Sequence, residues 1–301
     1  MVSPGKLIVS WKTQLNLVIT CEVLPLSVNQ GEWLKIINPK VLQRLGFVQH
    51  VLFDFDGTLS VLRQGWEPVM EAVMLNAICV RETPSSELIS EVKDFIDLST
   101  GTLTIVQMKW LAERVRSYGA ENQPLSAAEY KKIYLKALMV SVSKRLESLE
   151  SGEASPQDFL IRGSLEFVRG LSEKGVTLYI ASGSDHADVV REAAALGLSS
   201  YFPDGVYGAL DASEANGKER VIQRILDDNH LSGNELLVVG DGPVEIIEGC
   251  QRGAITLGVA SDEVKHYDWN EHKAGRLTRA GCDLMVADFI FSPELIQMMV
   301  R

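Results

Sequence analysis

The sequence predicts an α/β protein whose mainly parallel sheet is interrupted, soon after its first strand, by a block of helices. Three observations carry this. A short buried strand, Val51–Phe55, ends in the turn chemistry of Asp56-Gly57. From about Gly65 to Leu149, apolar residues recur at helical spacing with no convincing strand between them. Beyond Pro156, strand-like and helix-like segments alternate, which is the signature of βαβ units and of a sheet covered by helices on both faces.

The elements follow in order. Residues 1–46 form an N-terminal extension, in which Leu7-Ile8-Val9 and the run Leu15–Thr20 flank a polar stretch that suits a β-hairpin. No chemistry is assigned to them. The core is expected over residues 47–63 and 155–301, and the helical block over 64–154. Within the block, helices are expected at Trp66–Val80, Ser86–Leu98, Leu103–Tyr118 and Ala127–Leu149, with Pro84 and Pro124 in the gaps. In the core, helices are expected at Ser164–Lys174, His186–Leu196, Lys218–Asp228, Val244–Arg252 and His272–Ala280. Strands are expected at Thr177–Ala181, Leu236–Val239, Ile255–Gly258 and Asp283–Val286.

Composition excludes several classes. With 46% apolar and 23% charged residues in 301, the chain is neither disordered nor fibrous. Its formal charge of −11 argues against a uniformly basic nucleic-acid groove, so any anionic substrate needs a local cation. Cys21, Cys79, Cys250 and Cys282 are far apart and offer no cysteine metal cage, as suits a reducing, cytoplasmic location. The apolar stretch Leu7–Leu24 is broken by Lys12, Asn16 and Glu22, so neither a membrane span nor a signal-peptide core is expected.

The chemistry concentrates at strand ends. Asp54 and Asp56 sit two residues apart at the carboxyl end of the first strand, where open α/β sheets place their ligand crevices. Residues i and i+2 of a strand point the same way, so both acids can face one pocket. Two like charges this close call for a divalent cation or a shared proton. Taken alone, the motif also fits a solvated Asp-Gly turn.

Three further motifs follow in order: Ser182-Gly183 after the strand Thr177–Ala181, Lys218 at a helix start after Asn216-Gly217, and Gly240-Asp241-Gly242-Pro243-Val244-Glu245 after Leu236–Val239. With Asp54-Phe55-Asp56-Gly57-Thr58-Leu59, this set resembles the haloacid dehalogenase superfamily, in its phosphatase and phosphomutase branches. The likeness covers about residues 50–301. It implies a three-layer Rossmann-like core with an inserted all-helical cap. It also implies Mg²⁺ as cofactor, Asp54 as nucleophile, and Asp56 as general acid and base. Ser182, Lys218, Gly57, Thr58 and Gly183 would then contact phosphate. The metal would be held by Asp54, the Asp56 carbonyl and Asp241, with Glu245 reaching it directly or through a water. Glu245 departs from the family pattern, which usually has Asp there.

The glycines after the Leu236–Val239 strand also begin a dinucleotide-binding fingerprint. Glu245 breaks it at the sixth position, and an Asp in the loop would repel a pyrophosphate. The activity that the resemblance implies is hydrolysis of a small phosphorylated metabolite, a sugar phosphate or phosphoglycolate-like ester, through an aspartyl-phosphate. The alternatives are a β-phosphoglucomutase-like phosphomutase or a non-catalytic metabolite-binding protein. A phosphonate hydrolase would need a Schiff-base lysine, for which Lys93 and Lys109 stand in the block. Trp66, Ser99, Thr100 and Gly101 are the candidates there for touching the leaving group.

Overall fold

The computed structural model describes residues 28–29, 33–80, 82–118, 123–203, 205–210 and 217–301. Its centre is an eight-stranded sheet of order β1-β2-β8-β7-β6-β3-β4-β5. The strands are β1 (Val28–Asn29), β2 (Leu34–Ile36), β3 (His50–Phe53), β4 (Thr177–Asp185), β5 (Val206–Ala209), β6 (Leu236–Gly240), β7 (Ile255–Val259) and β8 (Leu284–Val286). From β3 to β8 all pairings are parallel, whereas β1 pairs with β2, and β2 with β8, antiparallel.

The period-2 alternation of the strands builds the layers. Val51, Phe53, Ile180, Val239 and Leu257 face one side, packing on Phe167, Val168 and Leu171 of α5 (Ser164–Glu173), Val189 of α6 (His186–Ala195) and Leu295 and Met299 of α10 (Ser292–Met299). Leu52, Ala181, Leu236 and Val238 face the other, against Val221, Ile222 and Ile225 of α7 (Lys218–Asp228). On that second side, α8 (Pro243–Gln251) and α9 (Glu271–Ala280) close the layer through Ile246, Ile247, Ala274 and Leu277.

Between β3 and α5 the chain leaves the sheet to form α1 (Trp66–Ile78), α2 (Ser86–Leu98), α3 (Thr104–Tyr118) and α4 (Ala127–Ser151). Caps set their ends: Ser85 accepts from the Leu88 amide, and Ser126 with Glu129 forms a reciprocal capping box at the head of α4. Phe95 of α2 stacks on Trp110 of α3 at 3.9 Å between ring centroids. The block is seated on the carboxyl ends of the strands. Lys131 pairs with Asp185, Arg145 Nη1 donates to the carbonyls of Leu62 and Gln64, and Thr104 Oγ1 donates to the Gly183 carbonyl.

Three features go beyond the expectations or correct them. The described part of the N-terminal extension belongs to the sheet, since Leu34 and Ile36 are fully buried in β2 against β8. A three-residue strand has too few positions to show a period. The runs Leu7–Val9 and Leu15–Thr20 lie outside the described residues. Second, β4 does not end before Ser182-Gly183 but runs on to Asp185, with a register shift against β5 between Ala181 and Asp185. Third, β5 and α10 were not expected, because β5 contains Gly208 and α10 is a single eight-residue helix opened by Pro293. No helix among the described residues is long and apolar enough to cross a membrane.

The ring of Phe53 is fully buried and meets Phe167 and Phe202 edge-on, at 5.9 and 6.2 Å. Phe53→Ala is expected to lose about 3–5 kcal/mol of stability, measured by urea unfolding of the two proteins at equal pH.

Candidate active site

Sheet topology brings the acidic motifs together. β3 and β6 are parallel neighbours with Phe53 opposite Val239, and the Asp54 amide donates to the Val239 carbonyl. Asp54 and Asp241 therefore leave adjacent strand ends. A carboxylate oxygen from each of Asp54, Asp241 and Glu245 lies within 4.8 Å of the others, and all three residues are buried. The Asp56 carboxylate stands apart from this triad. Its Oδ2 accepts from Ser182 Oγ at 3.3 Å and from Ser184 Oγ at 3.0 Å, and its Oδ1 lies 3.8 Å from Arg63 Nε.

Local sequence fixes these positions. Lys218 begins α7, and its Nζ lies 2.8 Å from both Asp54 Oδ1 and Glu245 Oε2. Glu245 is in the first turn of α8 behind Pro243, and its Oε1 accepts from the Gly242 amide at 2.7 Å. Both Glu245 oxygens are thus engaged. Asp241 Oδ2 accepts from Lys273 Nζ at 2.7 Å, with Arg276 Nη2 3.7 Å away, whereas Asp241 Oδ1 is buried without a partner.

Burial and charge compete at each group. Burial drives the Asp54 carboxyl well above the ordinary carboxylate range, with the Lys218 ammonium opposing and Glu245 and Asp241 reinforcing the rise. Asp56 is also raised by burial, against the pull of Arg63 and the two serines. Asp241 goes the other way: burial acts upward on it too, but Lys273 and Arg276 outweigh it and leave the carboxyl below its ordinary value. Burial alone would depress Lys218, yet Asp54 and Glu245 raise it above the usual lysine range.

The donor set fits a hard divalent cation. All three groups offer carboxylate oxygens, the ligands such ions take, and the lone pairs of Asp241 Oδ1 are unspent in a corner made of acids. Glu245, by contrast, is held as the partner of Lys218.

A cavity of about 60 Å³ opens above Asp54, Asp56 and Asp241. Gly183 and Ser184 line it from the core and Arg63 and Trp66 from the connection to the block, while Thr100, Gly101, Thr102, Thr104, Gln107 and Tyr134 line it from the block itself. The loop after α2 descends into the site. The φ of +91° at Gly101 and its approach to Glu245 Oε2 and Lys218 Nζ leave no room for a Cβ there. On either side of it, the Thr102 and Thr100 carbonyls press on Gly183 and Gly242.

Several sequence expectations are rearranged. Gly57 and Thr58 close the turn rather than face the cavity: the Gly57 amide donates to the Ser60 carbonyl at 2.8 Å and the Thr58 amide to Phe55 at 3.4 Å. The turn consumes these two amides, while the Thr58 hydroxyl is buried without a partner. The Ser182 hydroxyl is likewise committed, to Asp56 and to the Ser184 amide. Of the block residues, Trp66, Thr100 and Gly101 line the cavity, but Ser99 is fully buried and accepts from Gln107 Nε2 at 3.0 Å. Lys93 and Lys109 are not among the lining residues; Lys93 is exposed and 3.7 Å from Glu71.

Sequence reasoning missed the cations around the acids. Arg63 makes a fork on Glu192 and also reaches Asp188, while Lys273 joins Asp241 to Glu263 at 2.6 Å. The available signal was the basic spacing His272-Lys273-Arg276-Arg279 along α9, which reads equally well as a solvated face.

Comparison with known proteins agrees with this geometry. The haloacid dehalogenase-like hydrolase profile matches residues 48–252, more than half of the chain. Among solved structures, a predicted phosphatase from Clostridium acetobutylicum superposes with a TM-score of 0.55 at 14% identity, covering 84% of this chain and all of that one. A predicted phosphoglycolate phosphatase from Haemophilus somnus gives 0.56 at 16%, covering 83% and 98%. CbbY from Rhodobacter sphaeroides, in complex with xylulose-(1,5)-bisphosphate, gives 0.52 at 15%, covering 80% and 95%. At these identities the likeness is one of fold. The search of curated protein sequences finds no match.

Lys218 is 2% exposed between two buried carboxylates. Lys218→Met strands both, and breaking a buried pair from one side costs about 3–5 kcal/mol. The expected outcome is a destabilisation of that size in urea. A loss below about 1 kcal/mol would mean that the pair is solvated.

Proposed function

This chain belongs to the haloacid dehalogenase-like hydrolases, and from that premise we propose that it is a Mg²⁺-dependent phosphatase of a small phosphorylated metabolite. The observation that carries the reading is the division of labour between neighbouring acids. Asp54 stands in a carboxylate triad with Lys218 on its Oδ1, while Asp56 is turned away from the triad onto two hydroxyls. Non-catalytic binding needs no such division. Phosphoryl transfer does, because the nucleophile must sit with the metal and a cation while the proton donor stands clear of them to reach the leaving oxygen.

In this reading an Asp54 oxygen attacks phosphorus in line as the bond to the leaving oxygen breaks, and Asp56 delivers its proton to that oxygen. Burial raises the Asp56 carboxyl toward the protonated form that a general acid requires, and raises Asp54 as well, where Lys218 opposes it and a bound cation would oppose it further. Asp56 then takes a proton from water, which attacks phosphorus, releases phosphate and frees Asp54. Asp54, the Asp56 main-chain carbonyl and Asp241 would hold Mg²⁺, with Glu245 aiming Lys218. When bound, the ion supplies charge neutralisation for the phosphoryl oxygens. Lys218 and the main chain around Gly183 serve the same oxygens from the protein side.

The helical block acts as the cap. The cavity beneath it, about 60 Å³, is small beside the roughly 300–1,000 Å³ of ordinary ligand clefts, and lifting of the block would enlarge it for substrate. Once it is reseated, Thr102, Thr104, Gln107, Tyr134 and Trp66 surround the leaving group and water is excluded.

The test is phosphate release from a panel of sugar phosphates and phosphoglycolate, with Mg²⁺ and with chelator. Turnover is expected with Mg²⁺ alone. Isomerisation of a sugar phosphate without net phosphate release would assign a phosphomutase instead, and inactivity on every ester would overturn the reading.

Two variants check the roles. Asp54→Asn, which keeps the shape but removes the nucleophile, is expected to show no multiple turnover in the phosphate-release assay. Asp56→Asn is expected to slow kcat by about 10²–10⁴ while Mg²⁺ dependence stays near wild type, since the proposed ligand there is a main-chain carbonyl.

A further inference from the structure

Arg276 is 3% exposed on α9 and is shared between two bodies of the protein. On the block side, its Nη1 donates to Asp97 Oδ1 at 3.0 Å and to Thr100 Oγ1 at 3.2 Å, with Glu67 Oε1 3.6 Å away. On the core side, its Nη2 donates to the Asp241 carbonyl at 3.0 Å and lies 3.7 Å from Asp241 Oδ2. Its Nε is buried with no partner. A buried N–H left unpaired is costly, so the side chain is held in this pose by its two ends.

Asp97, in the last turn of α2, is met by one face of α9. His272 Nδ1 is 3.6 Å from Oδ1 and Arg279 Nη2 is 3.7 Å from Oδ2, so the i, i+4, i+7 positions of α9 converge on one carboxylate of the block. Of these three side chains, Arg276 is the one that also reaches Asp241.

We propose that Arg276 is a positioning residue that couples seating of the helical block to the cation affinity of Asp241. The proposal rests on the metal site described under the proposed function. With the block seated, Asp97 draws off part of the guanidinium charge. With the block lifted, the same charge falls on Asp241 alone and competes with a metal ion for it. Block seating and metal binding thereby strengthen one another, and the linkage is reciprocal.

The test is Mn²⁺ binding, read by electron paramagnetic resonance as free ion in the absence of any substrate. It is made on the chelator-treated full chain and three variants. Asp97→Asn returns the share of charge that Asp97 holds to Asp241, leaving Glu67 in place, and is expected to weaken Mn²⁺ binding by about fivefold or more. Arg276→Met removes the competitor and is expected to tighten it by a similar factor. Asp94→Asn takes the same charge from an exposed position of the same helix and is expected to leave affinity unchanged. Opposite shifts in the first two, with none in the third, support the coupling. Shifts of one sign, no shift in Asp97→Asn, or an equal shift in Asp94→Asn would overturn it. Should Arg276→Met fail to fold, the half-buried Asp97 and its control decide the question by themselves. A wild-type chain that binds no Mn²⁺ would overturn the metal site itself, whereas phosphate release is tested separately and does not enter this measurement.

Discussion

Burying carboxylates at the carboxyl ends of adjacent strands is the constraint around which this molecule is arranged. Asp54, Asp241 and Glu245 leave β3, β6 and the first turn of α8 within one small volume, with Asp56 at the same cavity. Desolvation alone would hold such a cluster neutral or drive it apart. The chain answers with buried cations set against particular partners: Lys218 on Asp54 and Glu245, Lys273 and Arg276 on Asp241, and Arg63 beside Asp56. The four cations come from three places. Lys218 is brought by α7, Lys273 and Arg276 by α9, and Arg63 by the segment that leads out to the block. The helices that cover the sheet are therefore also the source of its charge balance.

That arrangement explains why the same residues carry different environments. Asp241 is overcompensated and stays ionised, whereas Asp54 and Asp56 are undercompensated and rise. Separation of this kind is what lets chemically identical groups take unlike tasks. Glu245 shows the same logic from another direction. Its side chain reaches Lys218 with one oxygen and the Gly242 amide with the other.

Much of this was legible in the sequence because it follows from short-range order. The strand-turn at Val51–Gly57, the alternation after Pro156 and the helical spacing of the block are local patterns, and the structure reproduces them. The motif residues Asp54, Lys218, Asp241 and Glu245 converge because parallel strands place their carboxyl ends side by side. What was not legible depends on contacts between segments far apart in the chain. The burial of Leu34 and Ile36 is conferred by β8, and the extension of β4 to Asp185 is conferred by its pairing with β5. The spent amides of Gly57 and Thr58 depend on how tightly the turn closes. Arg63, Lys273 and Arg276 have ordinary sequence surroundings and acquire meaning only from the acids that they meet.

The seating of the loop after α2 has a further consequence for how such a protein changes over generations. Thr100 and Thr102 press on Gly242 and Gly183 with main-chain carbonyls, and Gly101 has no side chain to place. The fit between loop and core is thus written in backbone shape. The side chain at Thr102, which lines the cavity, can drift without loosening that fit, whereas Thr104 and Gln107 help to hold it through the Gly183 carbonyl and Ser99. Selection can then retune what the cavity accepts at Thr102 while Thr100, Gly101 and the acids and cations beneath them stay fixed.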